Sequence, residues 1–323
     1  MIKRLKNILS QYFEKARIVS GLYGVNRAGM IISMLWCRLR YGATPVDYVR
    51  FEFYKKKPHE RNRYLTHHLW RKMFKEFGYY ITREKTYGKI AIYRTFADYI
   101  HRPWIVADKD SDPQAIKDYI SKQGIVFAKP DHSSQGRGVV KIKAEDNAAI
   151  EELLNDSKQR AFVVEGAIVQ APEIAAINPS SINTIRAFTL IKRDGTTQII
   201  SILLRVGMPG MVVDNWGSGG VCYNFDLATG ICDRAGVDKK QQPYLIHPGS
   251  NFQMVGFRLP NFDKLKQLIL EISQKVPQAR FVGWDIAITP DGYELVEMNC
   301  PGGHDILQPF GTPYGDLLKR ELT

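Results

Sequence analysis

Apolar positions near the start of the chain recur at helical spacing. Ile31, Ile32, Leu35, Trp36 and Leu39 follow i, i+3/i+4 steps, and aromatics and arginines mix through Asp47 to Arg71. The pattern predicts a helical region over residues 1–75. Asp112-Pro113 predicts a helix start, with Asp112 as cap and Pro113 in the first turn; the helix runs toward Lys122 and stops near Gly124. From Ile125 the pattern changes to short β-rich runs with glycine turns. One late helix stands among them, Asn261 to Lys275, with Leu265, Leu268, Ile269 and Ile272 on one face. There is no internal repeat and no low-complexity tract. The chain reads as α+β.

Ile125 to Pro130 reads as a buried strand, Asp131-His-Ser-Ser-Gln-Gly-Arg-Gly138 as a polar loop, and Val139 to Lys143 as a returning strand. Gly136 and Gly138 let backbone N–H groups approach an anion, and Lys129 ends the incoming strand beside them. A plain β-hairpin with a long glycine loop fits the same residues. The loop is not a Walker A loop, because no Gly-Lys-Ser/Thr follows. Nor is it a dinucleotide fingerprint, because a strand follows where a helix should.

Two further hairpins carry charge. Phe281–Thr289 and Tyr293–Asn299 flank Pro290-Asp-Gly292, which predicts a three-residue loop. That register sets 289 opposite 293, 287 opposite 295 and Asp285 opposite Glu297, with Asn299 on the same face. Trp284, Ile286, Ile288, Val296 and Met298 then form the core face. Like charges directly opposite destabilise a sheet, and a divalent cation is the natural offset. Asp, Glu and Asn are hard oxygen ligands of the kind Mg²⁺ takes. A slipped register or a solvated acidic pair is the bland alternative. The other hairpin, Ser181–Arg193 and Thr196–Gly207 around a two-residue Asp194-Gly195 turn, pairs 186 with 203 and 184 with 205. Arg186 and Arg205 then share a face, where they can hold phosphate and carboxylate bidentately. Two exposed surface arginines are the alternative.

Charge adds one more feature. Residues 1–75 hold 17 Lys+Arg against 4 Asp+Glu, and residues 76–323 hold 28 against 29, so the whole +12 excess lies at the N-terminal end. A solvated helix face, a contact for anionic lipid and a nucleic-acid surface all fit this, but no zinc-finger, RRM-type or helix-turn-helix signature supports the last. Glu14 and Lys15 interrupt any signal-peptide core. The longest apolar run, Ala28 to Cys37, is far short of the roughly 20 residues that span a bilayer. It suits a membrane surface or a buried helix. The four cysteines show no CxxC or zinc spacing, as reduced cytosolic thiols do. Asn215-Trp-Gly-Ser-Gly219 lacks the first glycine of a hydrolase elbow, and the seven histidines form no triad or zincin pattern.

The order of these pieces resembles the ATP-grasp superfamily. The match runs from Ala128-Lys-Pro-Asp-His-Ser-Ser-Gln-Gly-Arg-Gly138 through Val163-Val-Glu-Gly-Ala-Ile168 and Asn183-Thr-Ile-Arg186 to Asp285 and Glu297-Met-Asn299. It is similar in particular to the sugar-transfer-associated ATP-grasp group, near teichuronopeptide-type and glutamate-ligase-like proteins. Ser181-Ile-Asn-Thr-Ile-Arg186, Val213-Asp-Asn-Trp-Gly-Ser-Gly-Gly220, His247-Pro-Gly249 and Asp98-Tyr-Ile-His-Arg-Pro-Trp104 carry that likeness.

The resemblance implies an ATP-grasp fold, in which two α+β subdomains grip ATP between antiparallel sheets. The implied division is a basic helical region 1–75, a pre-ATP-grasp segment 76–123, a small lid 124–172 with the glycine loop, and a catalytic subdomain 173–323. It implies nucleotide contacts at Lys89, Lys129, Ser134, Gly136, Arg137 and Gly138, and an adenine hinge at Glu165 and Ile168. Glu173, or failing it Gln170, would take the ribose. Asp285, Glu297 and Asn299 resemble ligands for Mg²⁺, with Mn²⁺ as a substitute. Arg186 resembles the phosphate-stabilising arginine, and Arg205 combines that part with substrate binding. Asn215, Gly302 and Gly303 become substrate contacts. The expected activity is ATP-dependent carboxylate ligation through an acyl phosphate, joining a small carboxylate to an amine or hydroxyl on a sugar or amino-acid precursor, lipid-linked or nucleotide sugars included. The rivals are a small-molecule kinase on the same fold and a non-catalytic nucleotide-binding component of a polysaccharide assembly complex. The expected place is cytoplasmic, at the inner face of the membrane if residues 1–75 dock there. Neither a nucleic-acid partner nor a transmembrane segment is expected.

Overall fold

The structure is a computed structural model and describes residues 2–73, 88–133, 137–211, 214–308 and 310–322. Two antiparallel sheets organise it. The smaller has strand order β1-β4-β2-β3, with β1 at Trp104–Ala107, β2 at Ile125–Pro130, β3 at Val140–Lys143 and β4 at Phe162–Gly166. The larger has order β11-β10-β5-β6-β7-β8-β9. Its centre is β5 (Thr184–Ile191), β6 (Thr197–Val206), β10 (Phe281–Thr289) and β11 (Gly292–Asn299), and β7 (Val221–Phe225), β8 (Gly236–Val237) and β9 (Pro243–Tyr244) extend one side.

The expected helix after Asp112 forms over Pro113–Gln123. The Asp112 carboxylate accepts from the Gln114 N–H at 3.0 Å, and Gly124 ends the helix at φ 72°. Its Ile116 and Ile120 pack with Ala107, Val126 and Ile142 under the small sheet. β1 and this helix thus pack with the other strands of the small sheet. The late helix spans Phe262–Gln274 and buries Leu265, Ile269 and Ile272 against the large sheet, beneath Trp284 and Ile286. The other face of that sheet carries Phe188, Leu190, Leu203 and Phe281. All eight residues of β5 are buried as a result.

The N-terminal region is helical, as its periodicity predicts. Helices α1 (Ile2–Tyr23) and α2 (Arg27–Tyr41) pack through Tyr12, Ala16, Val19, Met30, Met34 and Cys37. Helix α3 (Pro45–Arg50) starts with a capping box between Thr44 and Asp47. Asp47 is buried and also accepts from the His67 N–H at 3.0 Å and from His304 Nε2 at 3.3 Å. Trp70 Nε1 donates to the Gly302 carbonyl at 2.9 Å, and Gln308 pairs with both backbone groups of Leu65 at 2.9 Å. The basic region is thus anchored on the segment that follows β11.

Candidate active site

Both charged hairpins reach the expected pairing by an unexpected route. In β10–β11 the closing pair is Thr289–Gly292, so the loop is Pro290-Asp291 and one residue shorter than predicted; Ala287 faces Glu294, not Leu295. Proline suits the second position of a β-turn, which draws Gly292 into the ladder. A bulge between Asp285 and Ile286 then absorbs Val296 and restores Asp285 opposite Glu297. In β5–β6 the error is reversed. The Asp194 carboxylate accepts from the Thr196 N–H at 2.9 Å and Gly195 sits at φ 82°, so Lys192 and Thr196 close a three-residue loop. A bulge at Phe188/Thr189 restores Arg186 opposite Leu203 and Thr184 opposite Arg205.

The bulge in β11 changes which residues reach the site. Leu295 joins the core, whereas Val296, expected there, lines the cleft. Glu294 turns to the same side as Glu297 and accepts from the Arg102 backbone N–H at 2.9 Å.

Asp285 is buried and held by arginines. Arg186 lies opposite it on β5 and donates from Nη2 to Oδ2 at 2.9 Å, with Nε on the other carboxylate oxygen. Arg205 Nη2 lies 3.1 Å from Oδ2. Burial pushes the Asp285 carboxyl up, but the two guanidinium groups outweigh it and hold the pKa below the usual carboxylate range. The like-charge cost expected for Asp285 and Glu297 is therefore offset by arginine. The two arginines are buried, not surface groups. Asp214 completes this cluster: its carboxylate accepts from the Thr184 N–H at 2.9 Å and lies 3.5 Å from Arg205 Nε.

A second cluster lies where the small sheet meets the large one. Lys129 pairs with Glu165, and Arg102 Nε donates to Glu165 at 2.8 Å while its Nη1 pairs with Glu294. The Tyr93 hydroxyl donates to Glu165 as well. Burial, then the charge of Glu294, pushes Glu165 well above the normal carboxylate range. Burial, helped by the charge of Arg102, brings Lys129 down to about 7. Lys89 starts the helix Lys89–Thr95 and donates from Nζ to the Ser133 carbonyl and hydroxyl, the latter at 3.1 Å. Lys89, Ile92, Tyr93, Lys129, Val139, Val296 and Glu297 line one open cleft of ≈ 110 Å³.

The sequence profile described as "Sugar-transfer associated ATP-grasp" matches residues 67–309. The chain belongs to the sugar-transfer-associated ATP-grasp family. Its fold is similar to that of purK, an N5-carboxyaminoimidazole ribonucleotide synthetase solved with ADP, at 9% identity and TM-score 0.44, covering 69% of this chain and 46% of that one. It is also similar to D-alanyl-alanine synthetase A from Vibrio cholerae, at 14% and 0.46, covering 72% and 64%. A third is the ATP-grasp ligase PsnB with minimal precursor, Mg and ADP, at 14% and 0.42, covering 72% and 57%. This chain spans about half to two thirds of the length of these structures. No curated protein matches it in sequence.

Within this ATP-grasp frame the other expected residues fall into two groups. Arg137 and Gly138 are exposed at the mouth of the glycine loop, with Gly138 at φ 73°; Ser134 and Gly136 lie outside the described residues. Glu173 is exposed, whereas Gln170 braces a loop by accepting from the Asn183 N–H and donating to the Ser181 carbonyl, both at 2.7 Å. Ile168 is half-buried just after β4. Glu165 turns its carboxylate into the second cluster. Asn215 Oδ1 caps the short helix Trp216–Ser218, accepting from the Gly217 N–H at 3.0 Å. Gly302 packs against Phe188, where an added Cβ would come within 2.9 Å of the ring, and Gly303 caps the helix His304–Leu307.

The expected Mg²⁺ ligands fit a hard cation in chemistry. Asp285 and Glu297 are opposed, and Asn299 Nδ2 lies 3.4 Å from Asp285 Oδ2. Glu297 forms no hydrogen bond or ion pair among the described residues, and burial, then the charge of Asp285, raises its pKa. A half-buried carboxylate of this kind gains from a cation.

Sequence reasoning did not single out Arg102, Glu294, Asp214 or Tyr93. Arg102 and Asp214 lie inside motifs it quoted. Glu294 needed the bulge.

Proposed function

We propose that the chain is an ATP-dependent carboxylate ligase that activates a small carboxylate as an acyl phosphate and joins it to an amine or hydroxyl. The observation that carries this reading is the cleft between the sheets. Its charged lining is Lys89, Lys129 and Glu297, and Asp285 with its two arginines lies beside Glu297 on the large sheet. Such a lining positions and neutralises anions, which is most of what phosphoryl transfer asks of a protein.

In this reading Lys89, Lys129 and the loop at Arg137 and Gly138 hold the ATP phosphates, and Glu173 takes the ribose in preference to Gln170, whose amide is committed. Asp285, Glu297 and Asn299 would hold Mg²⁺, which when bound shields one anion from another. Arg186 faces the transferring phosphoryl group, and Arg205 orients the substrate carboxylate. A carboxylate oxygen bonds to the γ-phosphorus as the bond to the bridging oxygen breaks and ADP leaves. The acceptor nitrogen or oxygen then bonds to the acyl carbon, phosphate leaves with the C–O electron pair, and the acceptor's proton passes to solvent or phosphate. The family's association with sugar transfer supports a sugar-linked substrate, and in this reading it is a sugar or amino-acid precursor of cell-surface polysaccharide.

A screen of amino acids, uronic acids and amino sugars tests this by ADP release, with product masses read out. The expected product is a condensed species with phosphate released. A product that retains phosphate would identify a kinase, and ADP release indifferent to every substrate pair would remove the ligase reading.

A further inference from the structure

Helix α2 is apolar on two opposite sides. Met30, Met34 and Cys37 face the core of the N-terminal region. Ile32, Leu35, Trp36 and Leu39 keep the same helical rhythm two residues out of phase. At about 100° per residue, that places them on the far side of the helix. They are exposed at 67%, 46%, 43% and 87%. A helix that only covered this core would be polar on its outer face. On α1, Leu9 and Phe13, one turn apart, are exposed too.

Charge surrounds this apolar stripe. Arg38 and Arg40 stand one residue to either side of Leu39, and both are exposed, as are Arg17 and Arg27. Beside Leu39 opens a groove of ≈ 440 Å³ whose basic lining is Arg38, Arg40, His68, Lys72 and Lys319, with no acidic residue among the described residues that line it. An apolar stripe ending in a cationic groove matches an anionic bilayer surface, with acyl chains against the stripe and phosphate headgroups in the groove. A second protein copy bearing the same charge would be repelled at that groove. No described helix is long and apolar enough to cross a membrane, so the contact is interfacial.

We infer that residues 9–72, joined by Lys319, form a membrane-docking face: α2 lies on an anionic lipid surface through Ile32, Leu35, Trp36 and Leu39, and the groove at Arg38, Arg40, His68, Lys72 and Lys319 receives lipid phosphate. The inference stands apart from the ligase reading, because none of these residues lines the cleft.

Vesicle co-sedimentation of the full chain tests it. Vesicles of phosphatidylcholine with phosphatidylglycerol should pellet the protein at low and physiological salt, and phosphatidylcholine alone should not. Arg38→Glu with Arg40→Glu should lower the bound fraction about tenfold or more, because each basic residue near such a surface contributes about a factor of five. Trp36→Ser with Leu39→Ser should lower it similarly. Circular dichroism and ADP release on soluble substrates should be unchanged in both. Equal pelleting on neutral and anionic vesicles, or on neither, overturns the inference. So does a dimer in light scattering that Leu39→Ser dissociates while vesicle binding stays the same.

Discussion

The two ionic clusters contain the same chemistry and settle it in opposite ways. Each joins two cations to two carboxylates in buried surroundings: Arg186 and Arg205 with Asp285 and Asp214, and Arg102 and Lys129 with Glu165 and Glu294. In the first, both guanidinium groups converge on Asp285 and lower its pKa. In the second, Arg102 straddles two carboxylates, and the other cation is a lysine that burial brings to about 7. Placement, not the count of charges, separates them: two guanidinium groups on one carboxylate keep Asp285 charged, whereas burial raises Asp214 and favours the neutral forms of Glu165 and Lys129.

The largest expected effects lie at the arginine-held cluster and at Glu297 opposite Asp285. Glu297→Gln should cut ADP release about a thousandfold or more, because transferring phosphoryl charge loses several kcal/mol of neutralisation. Its thermal midpoint should hold or rise slightly, since the change relieves repulsion with Asp285. Asp285→Asn should lose as much activity and also destabilise the fold by about 3–5 kcal/mol, by leaving buried Arg186 without its carboxylate and Arg205 with Asp214 alone. Denaturant unfolding beside the ADP assay separates the two. Near-normal turnover in Glu297→Gln would refute its place in the site, and equal stability losses would refute the asymmetry.

Arg102→Met tests the labile cluster in the same way. Glu165 and Glu294 would be left buried without their shared guanidinium, at a cost of about 3–5 kcal/mol where both are ionised. The raised pKa of Glu165 sets the sign with pH. At lower pH it takes up its proton and no longer needs the cation, so the stability gap to the parent should shrink from alkaline to acidic pH. A gap that stays constant across that range would show that Arg102 acts by packing alone.

How much of this was legible in the sequence follows from what each feature depends on. The capped helix at Asp112 and the amphipathic helix over residues 262–274 are local, and both formed as expected. The pairs Asp285–Glu297 and Thr184–Arg205 were also read correctly, although both loop lengths were off by one residue. A turn's type depends on local contacts such as that of Asp194 with Thr196, and a bulge depends on packing from other strands. No sequence period encodes that packing, so the inward turn of Glu294 stayed hidden. Arg102 lies 192 residues from Glu294, and no spacing rule connects them. The sheet edge at β1 was missed because its partner β4 comes after two other strands.

The second cluster makes a sharper prediction for Lys129. Its pKa of about 7 leaves it largely neutral at mildly alkaline pH, and the phosphates of bound ATP favour its charged form. Nucleotide binding should therefore take up close to one proton above pH 7. Calorimetry in two buffers of different ionisation enthalpy reads this directly. In Lys129→Met the buffer dependence should vanish and ATP affinity should fall about tenfold to a hundredfold, as expected for a lost charge-assisted contact. Proton uptake that persists in Lys129→Met would move the labile proton to another group.

Another buried carboxylate, outside both clusters, gives the smallest effect and refines the comparison further. Asp47 resembles Asp285 in having a depressed pKa but has no arginine. Burial pushes it up, and the hydrogen bond and charge of His304, with N–H donors from Thr44 and His67, more than offset that. A carboxylate depressed in the folded state adds stability above its unfolded pKa of about 4, and that stability is lost as pH falls through the folded value. Asp47→Asn keeps the shape but replaces one acceptor oxygen with a donor facing these N–H groups. It should cost about 1–3 kcal/mol near neutral pH. The difference from the parent should narrow below about pH 4, first as the unfolded carboxyl takes up its proton and then, at lower pH, the folded one. Thermal unfolding of both proteins from neutral to strongly acidic pH measures this. If the gap does not narrow, hydrogen-bond geometry rather than charge anchors α3 to the segment behind the site, and charge would have to be credited to the arginine-held Asp285 alone.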